Sequence, residues 1–304
     1  MRRGIEPRQN TLEFSMTAAP PLLRTLGVDE KILVVDIGAN PIDGDPPYKT
    51  LLRSNHARVV GFEPNPLALE KLQTLKGKDD LYLPHAVGDG REHTLHICQG
   101  QGMTSLLEPN PNILGMLHGF PEWGRVIRKE QVPTVRLDDI PETEGVDYIK
   151  IDIQGGELMA LSNAPNRLAG AVLIHTEVEF LPMYIGQPLF SDLDIFLRGH
   201  GFVLHKFHPL AGRMLQPLML NNDVYASGNQ IIWADAVYFR DISKMSAMSP
   251  AQLLKLATIA HDCYGSFDLA VRLLLEHERQ TGSAYGQRLL EVMTGQRPGG
   301  NRRG

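Results

Sequence analysis

The sequence predicts an α/β fold, an open sheet with a parallel centre and helices on both faces. Two observations carry the prediction. Lys31-Ile32-Leu33-Val34-Val35-Asp36 is an apolar, mostly β-branched run closed by an acid and followed by Ile37-Gly38-Ala39-Asn40, and it reads as a strand buried on both faces. Arg58-Val59-Val60-Gly61-Phe62-Glu63 repeats that pattern after one intervening helix, as a right-handed βαβ unit does.

Residues 1–30 come first. Met1 to about Ala19 has no clear period and reads as a loosely held arm. Pro20 to Gly27 reads as a short helix, with prolines at its start and a glycine at its end, leaning against the first strand. The half that follows contains a strand at 31–36, a helix at about 46–54, a strand at 58–62 and a helix at about 66–76. Gly38 sits where a close approach of backbone to ligand calls for a residue without Cβ. Asp36 and Glu63 put carboxylates at the carboxyl edge of the sheet, where open α/β folds bind ligands. Glu63, at the neighbouring strand's tip, is placed to accept both ribose hydroxyls of a nucleoside. Each acid can also be an ordinary strand-end polar residue.

The turn decides between nucleosides. A dinucleotide site wants Gly-x-Gly-x-x-Gly around its pyrophosphate. Here Gly38-Ala39-Asn40-Pro41-Ile42-Asp43-Gly44-Asp45 has two glycines and two further carboxylates. Those charges repel a pyrophosphate and suit a cationic ligand such as S-adenosyl-L-methionine, with its ammonium and sulfonium groups. This weighs against a nicotinamide-dependent oxidoreductase.

Four segments then carry a resemblance. Val34 to Asn40, Gly61-Phe62-Glu63-Pro64-Asn65-Pro66, Val135-Arg136-Leu137-Asp138-Asp139 and Ile149-Lys150-Ile151-Asp152-Ile153-Gln154-Gly155-Gly156-Glu157 resemble, in order, the motifs of the FkbM family of methyltransferases. The likeness runs from about Leu33 to about Arg240. It implies a class I methyltransferase fold, that is, a Rossmann-like mixed sheet of seven strands with helices on both faces. It also implies methyl transfer from S-adenosyl-L-methionine to a hydroxyl of a small molecule, sugar or secondary metabolite. The proline-rich turn Pro41 to Tyr48 departs from the family's Gly-Ala-Asn-x-Gly-x-Tyr. For that reason a non-catalytic cofactor-binding or scaffold protein stays open as an alternative.

On this resemblance Asp36, Gly38, Ala39 and Asn40 border the amino-acid end of the cofactor, Glu63 and Pro64 the ribose, and Ala86, Val87, Gly88 and Asp89 the adenine. Ser105, in Gly102-Met103-Thr104-Ser105-Leu106, belongs to a segment that folds over the cofactor, and Asp152 contacts it from the opposite side. A turn explains Gly88-Asp89-Gly90 equally well.

The remaining elements follow in order. Leu81 to Gly90 is a third strand running into its turn, and Glu92 to Cys98 an added strand. Glu108 to Gly124, with Pro109, Pro111 and Pro121, reads as a lid or substrate loop with one short helix. Its His118, Phe120 and Trp123 either line an acceptor pocket or form the loop's own small core. Val132 to Leu137 is a strand ending at Asp138-Asp139. Val146 to Asp152 is the fourth central strand, and Gly155-Gly156 starts a helix with Glu157 in its first turn, where a carboxylate also favours the helix dipole. Ala171 to Phe180 is the fifth, and alternation sends His175, Glu177 and Glu179 to one face. Phe190 to Gly201 is helical. Phe202–Phe207 and 230–239, joined by a long excursion, fit the closing antiparallel hairpin of such a sheet.

A hydroxyl acceptor needs a general base. Asp152, His175 and Glu177 are the candidate catalytic residues, Asp152 first. The same three suit a divalent ion, but no spacing such as His-x-x-x-His supports one, so no metal is assigned. His175 can equally be a satisfied core histidine, and Glu157 a structural acid.

Residues 31–241 thus form the methyltransferase domain. Residues 242–294 form a small helical appendage, opened by Ser249 as cap and Pro250 at the first helical position. It caps the cleft, pairs two protomers as a homodimer or covers one side of the sheet. Residues 295–304, rich in glycine and arginine, read as a disordered tail.

The totals set bounds. The chain has 304 residues and a net charge of −5, which gives no electrostatic case for nucleic acid. Two cysteines, Cys98 and Cys263, imply no disulfide framework and a reducing compartment. No apolar run approaches the roughly 18 residues of a membrane span, and no secretory signal opens the chain. The expected setting is the cytoplasm.

Overall fold

A computed structural model describes residues 20–40 and 44–295. The expected N-terminal arm, Pro41 to Asp43 of the first turn and the tail beyond Gly295 lie outside the described residues.

The strands, in chain order, are β1 (Ile32–Ile37), β2 (Ala57–Phe62), β3 (Leu81–Leu83), β4 (Ala86–Val87), β5 (Glu92–Cys98), β6 (Val126–Val135), β7 (Tyr148–Ile151), β8 (Leu173–Glu179), β9 (Phe202–Arg213) and β10 (Gln230–Arg240). The helices are α1 (Leu22–Leu26), α2 (Lys49–Arg53), α3 (Pro66–Leu75), α4 (Pro111–Leu114), α5 (Phe120–Trp123), α6 (Glu157–Ser162), α7 (Pro165–Gly170), α8 (Phe190–Gly199), α9 (Pro250–Asp262), α10 (Phe267–Thr281) and α11 (Tyr285–Thr294).

Seven strands form the main sheet in the order β3-β2-β1-β7-β8-β10-β9. Numbered within that sheet alone the order is 3-2-1-4-5-7-6, parallel except for β10, which runs antiparallel to both β8 and β9. This is the class I methyltransferase arrangement. All six residues of β1 are buried, as a central strand covered on both faces requires. β2 and β7 flank β1 in parallel, so Asp36 stands opposite both Gly61 and Lys150.

The two faces are closed by different helices. Leu161, Leu168, Leu193 and Leu197 of α6, α7 and α8 share one core with Val35, Ile149 and Ile174. Leu23 of α1, Leu51 of α2 and Leu253, Leu256 and Ile259 of α9 share the other with Val34, Tyr148 and Val237. The C-terminal helices therefore cover one side of the sheet. Each large aliphatic side chain fully buried there contributes about 1.5–3 kcal/mol. Ser249 and Gln252 start α9 with reciprocal bonds to each other's backbone, the capping box that the serine–proline start suggested. Asp262 at the end of α9 accepts from the amide of Leu22 at 3.0 Å, tying α1 to α9.

Three elements differ from expectation. The third strand stops at Leu83 because Pro84 has no N–H for the ladder, and the chain resumes as β4 in a separate three-stranded sheet, β4-β6-β5. The strand expected at 132–137 begins at Val126 and pairs antiparallel with β5. Its expected acidic end, Asp138, accepts from the amides of Asn166 and Arg167, each at 3.0 Å, and so holds the start of α7. The lid holds two four-residue helices, α4 and α5, instead of one.

Candidate active site

Gly38 leaves β1 in the left-handed region, at φ +81°, and a Cβ there would lie 2.0 Å from the carbonyl oxygen of Asp152. The two loops that border the carboxyl edge thus touch through a residue that must lack a side chain. The amides of Gly38 and Ala39 both donate to Phe62 O at 3.0 Å, locking the turn against β2. Glu63 follows at that tip, 5 % exposed, and its Oε1 accepts from the amide of Asn65 at 2.8 Å. Asn65 in turn caps α3, accepting from the amides of Leu67 and Ala68, with Pro66 at the first helical position.

Asp36 is only 3 % exposed. Its Oδ2 accepts from the Tyr48 hydroxyl, and its Oδ1 stands 3.4 Å from Lys150 Nζ, which also donates to Gly38 O at 3.3 Å. Asp36 is thus held from inside the sheet.

Across the edge, Asp152 lies just past the end of β7 and Glu177 near the end of the adjacent β8. One side-chain amide joins them: Gln154 Nε2 donates to Asp152 Oδ1 at 2.9 Å and to Glu177 Oε2 at 2.8 Å. Gln154 sits at φ +59°, a conformation that side chains other than glycine rarely adopt. Residues on either side of the lid secure it there. Ser105 Oγ donates to its carbonyl at 2.7 Å, and the Tyr184 hydroxyl to its Oε1 at 3.3 Å. Glu157, 2 % exposed, accepts from the amide of Ile153 at 2.8 Å. Burial, helped by the charge of Asp152, pushes Glu157 up to about 7 against the lowering effect of that amide. Burial first, then neighbouring carboxylates, raises Glu177 and Glu179 well above the usual range.

His175 does not join this group. It shares a face with Glu177, as alternation requires, but lies deeper, at 2 % exposure. Its Nδ1 is 2.8 Å from the Tyr264 hydroxyl and its Nε2 is 3.3 Å from Asp235 Oδ2. Tyr264 is in turn 2.5 Å from the Tyr148 hydroxyl. Tyr264 of the helical layer and Asp235 of β10 thus hold the ring, and no hydrogen bond among the described residues joins it to Asp152 or Glu177. Glu157 is the third acid instead: Asp152, Glu157 and Glu177 each place an oxygen within 4.8 Å of the others. Those three are the residues able to hold a hard divalent cation, although the Gln154 amide already bridges two of them.

The expected adenine segment is tied to the second sheet. The amide of Gly88 donates to Val135 O at 2.9 Å. Asp89 is held below its ordinary range by its hydrogen bond with His93, and it also accepts from the amide of Arg91 at 3.0 Å. In the lid, His118 lies 2.9 Å from Leu218 O, Phe120 is buried and Trp123 stacks on Tyr225.

The model of the methyltransferase FkbM domain matches residues 36–204. The chain belongs to the FkbM methyltransferase family. No curated protein matches it significantly. Among solved structures it is similar to precorrin-6y C5,15-methyltransferase from Geobacter metallireducens GS-15, at 14 % identity and TM-score 0.35, covering 72 % of this chain and 85 % of that one. It is similar to TYW2 of M. jannaschii in complex with AdoMet, at 14 % identity and TM-score 0.30, over 74 % and 79 % of the two chains. It is also similar to LepI in complex with SAM, at 13 % identity and TM-score 0.29, where it covers 72 % of itself but spans 46 % of the LepI chain.

S-adenosyl-L-methionine is the methyl donor of an FkbM methyltransferase, and the edge fits it. The Gly38 turn touches Asp152 where a Cβ cannot stand, Glu63 offers a fixed carboxylate at the neighbouring tip, and the acids beyond suit a cationic ligand. Sequence reasoning missed Gln154, Tyr184 and Tyr48. The first lies inside a quoted motif. A long polar residue between a strand-ending acid and a glycine pair was the available signal.

Proposed function

We propose that this FkbM methyltransferase O-methylates a hydroxyl of a small molecule, with Asp152 as general base and Glu177 as its partner. The observation that supports this is the single amide bridging the two carboxyl groups near the ends of β7 and β8. One amide nitrogen holds the two carboxyl groups side by side, and burial raises Glu177 so that it keeps its proton, leaving Asp152 as the base. S-adenosyl-L-methionine supplies an electrophilic sulfonium methyl. Asp152 accepts the proton of the acceptor hydroxyl as its oxygen forms the new bond to carbon and the sulfur–carbon bond breaks. Positioning contributes much of the rate in such an in-line displacement. In this reading Ser105 and Tyr184 hold Gln154 in place, Glu63 holds the ribose, and Asp36, Gly38, Ala39, Asn40 and Pro64 line the donor's side.

The test incubates hydroxylated metabolites with isotope-labelled donor and reads products by mass spectrometry. A methyl ether is expected. Asp152→Asn should lower its formation by about 100-fold or more, while calorimetry shows S-adenosylhomocysteine still bound. Glu63→Ala should weaken that binding, by about 1.5–3 kcal/mol per hydrogen bond lost. A methyl group found on nitrogen or carbon, or full activity in Asp152→Asn, would refute the assignment. A scaffold would not bind the nucleoside at all.

A further inference from the structure

The hairpin that closes the sheet carries a constellation that the proposed chemistry leaves unused. Arg213, the last residue of β9, lays its guanidinium over the ring of Trp233, 4.6 Å from the centroid, and 5.8 Å from that of Tyr225. Trp123 of α5 stacks on Tyr225 at 5.7 Å and 17°. Two aromatic rings thus meet one cation, a third backs the outer of them, and both tryptophans of the chain take part.

The fold shows elsewhere how it keeps a guanidinium for structural ends. Arg240 donates to the carbonyls of Ala171 and Ala169 at 2.7 Å and of His200 at 2.9 Å. Arg167 donates to Thr143 Oγ1 at 2.7 Å and to the carbonyl of Ile140 at 3.2 Å. Arg213 donates to Gly212 O, its own chain neighbour, at 2.8 Å. Its Nε is buried without a partner. Asp223, whose charge it feels, gives its Oδ1 to the amide of Tyr225. A buried guanidinium N–H without a partner is costly unless something pairs with it.

Its position relative to the acids is fixed by register. Trp233 stands opposite Glu179, and Asp235 opposite Glu177, so the cation lies one pleat beyond the carboxyl cluster. We infer that Arg213 is the anion subsite for the acceptor, pairing with a carboxylate or phosphate on the hydroxylated molecule whose body lies against Trp233 and Tyr225. The guanidinium attracts that anionic end, which orients the molecule hydroxyl-first toward Asp152. This inference rests on the proposed O-methylation.

The test titrates the full chain, with and without S-adenosylhomocysteine, at constant ionic strength, and reads tryptophan fluorescence. The probes are acetate, inorganic phosphate and neutral acetamide. Acetate, phosphate or both should give a saturable change that acetamide does not. A response to one anion alone identifies carboxylate or phosphate as the group. Arg213→Gln should weaken the response by at least about tenfold, and Arg213→Lys by less, since a lysine keeps the charge without the fork. An equal response to acetamide, no response to either anion, or an unchanged response in Arg213→Gln would overturn the subsite. The acetamide comparison needs only the wild-type chain, so it decides even where a variant fails to fold. Nucleoside binding and methyl-ether formation without an anion response would sink this inference alone. An anion response without nucleoside binding would sink the methyltransfer reading.

Discussion

Tyr48 and Asp36, twelve residues apart and on opposite sides of the first turn, meet beneath β1, where the tyrosine hydroxyl donates to Asp36 Oδ2 at 2.5 Å. Both are almost wholly buried, and burial with the nearby carboxylate raises the phenol well above its ordinary value. The hydroxyl therefore remains a donor at every physiological pH. Tyr48 makes the Asp36 carboxylate part of the scaffold beneath Gly38.

Tyr48→Phe tests that relationship. It keeps the ring, including its edge-on contact with Tyr148 at 6.0 Å, and removes one donor from a buried carboxylate. A hydrogen bond to a charged group contributes about 1.5–3 kcal/mol, so the urea midpoint should fall accordingly with an unchanged slope. A midpoint equal to wild type would mean that Lys150 alone satisfies Asp36.

How much of this was legible in the sequence depends on range. The buried strands, the acids at the tips of β1, β2 and β7 and the capped start of α9 follow from local pattern, and their places were readable. The partners of those acids were not. Tyr48 reaches Asp36 across a turn, Tyr264 reaches His175 from eighty-nine positions away, and neither contact leaves a periodic trace. His175 shows the limit of alternation: period 2 gave its face correctly, but depth along the strand, set by the α9 layer behind it, decided what it touches. Glu157 carried two local readings, helix dipole and site, and the structure brings it within reach of Asp152 while it also accepts the Ile153 amide.

Stability should depend on pH through Glu157. Its folded value, raised to about 7, exceeds the 4.5 of an ordinary glutamate. Between those values the folded state holds more protons than the unfolded one, so unfolding free energy falls as pH rises. The stabilisation is complete below about pH 4.5 and gone above about 7; Glu177 and Glu179, also raised, add in the same direction. Chemical denaturation at pH 5 to 8 should show this decline, of up to a few kcal/mol at about 1.4 per pH unit. Glu157→Gln should make it shallower, leaving the share of Glu177 and Glu179. A slope identical in the variant would place the proton elsewhere.

His175→Phe separates structure from chemistry. The ring's partners are Tyr264 of the buried helical layer and the half-buried Asp235 of β10. Removing it leaves polar groups short of a partner and should cost about 1–3 kcal/mol of stability. Methyl-ether formation per folded molecule should stay within about threefold of wild type, against the 100-fold or larger loss expected of Asp152→Asn. A loss as large as that of Asp152→Asn in a folded His175 variant would restore the histidine as a base.

Gln154 offers the sharpest test of the bridged pair. Gln154→Gly keeps the left-handed backbone, which glycine adopts without strain, and deletes the bridge between Asp152 and Glu177. Gains from relieved strain and losses of hydrogen bonds are each about 1–3 kcal/mol, so stability should change little while turnover falls about 10- to 100-fold. Gln154→Glu places a third carboxyl at the bridge. At pH 8 an ionised group there repels both acids, and turnover should fall further. At pH 6 the introduced carboxyl is protonated and has an O–H to donate, because its acidic neighbours raise its affinity for a proton. The ratio of variant to wild-type turnover should therefore rise as pH falls from 8 to 6. A ratio that stays flat would show that the amide is only a spacer.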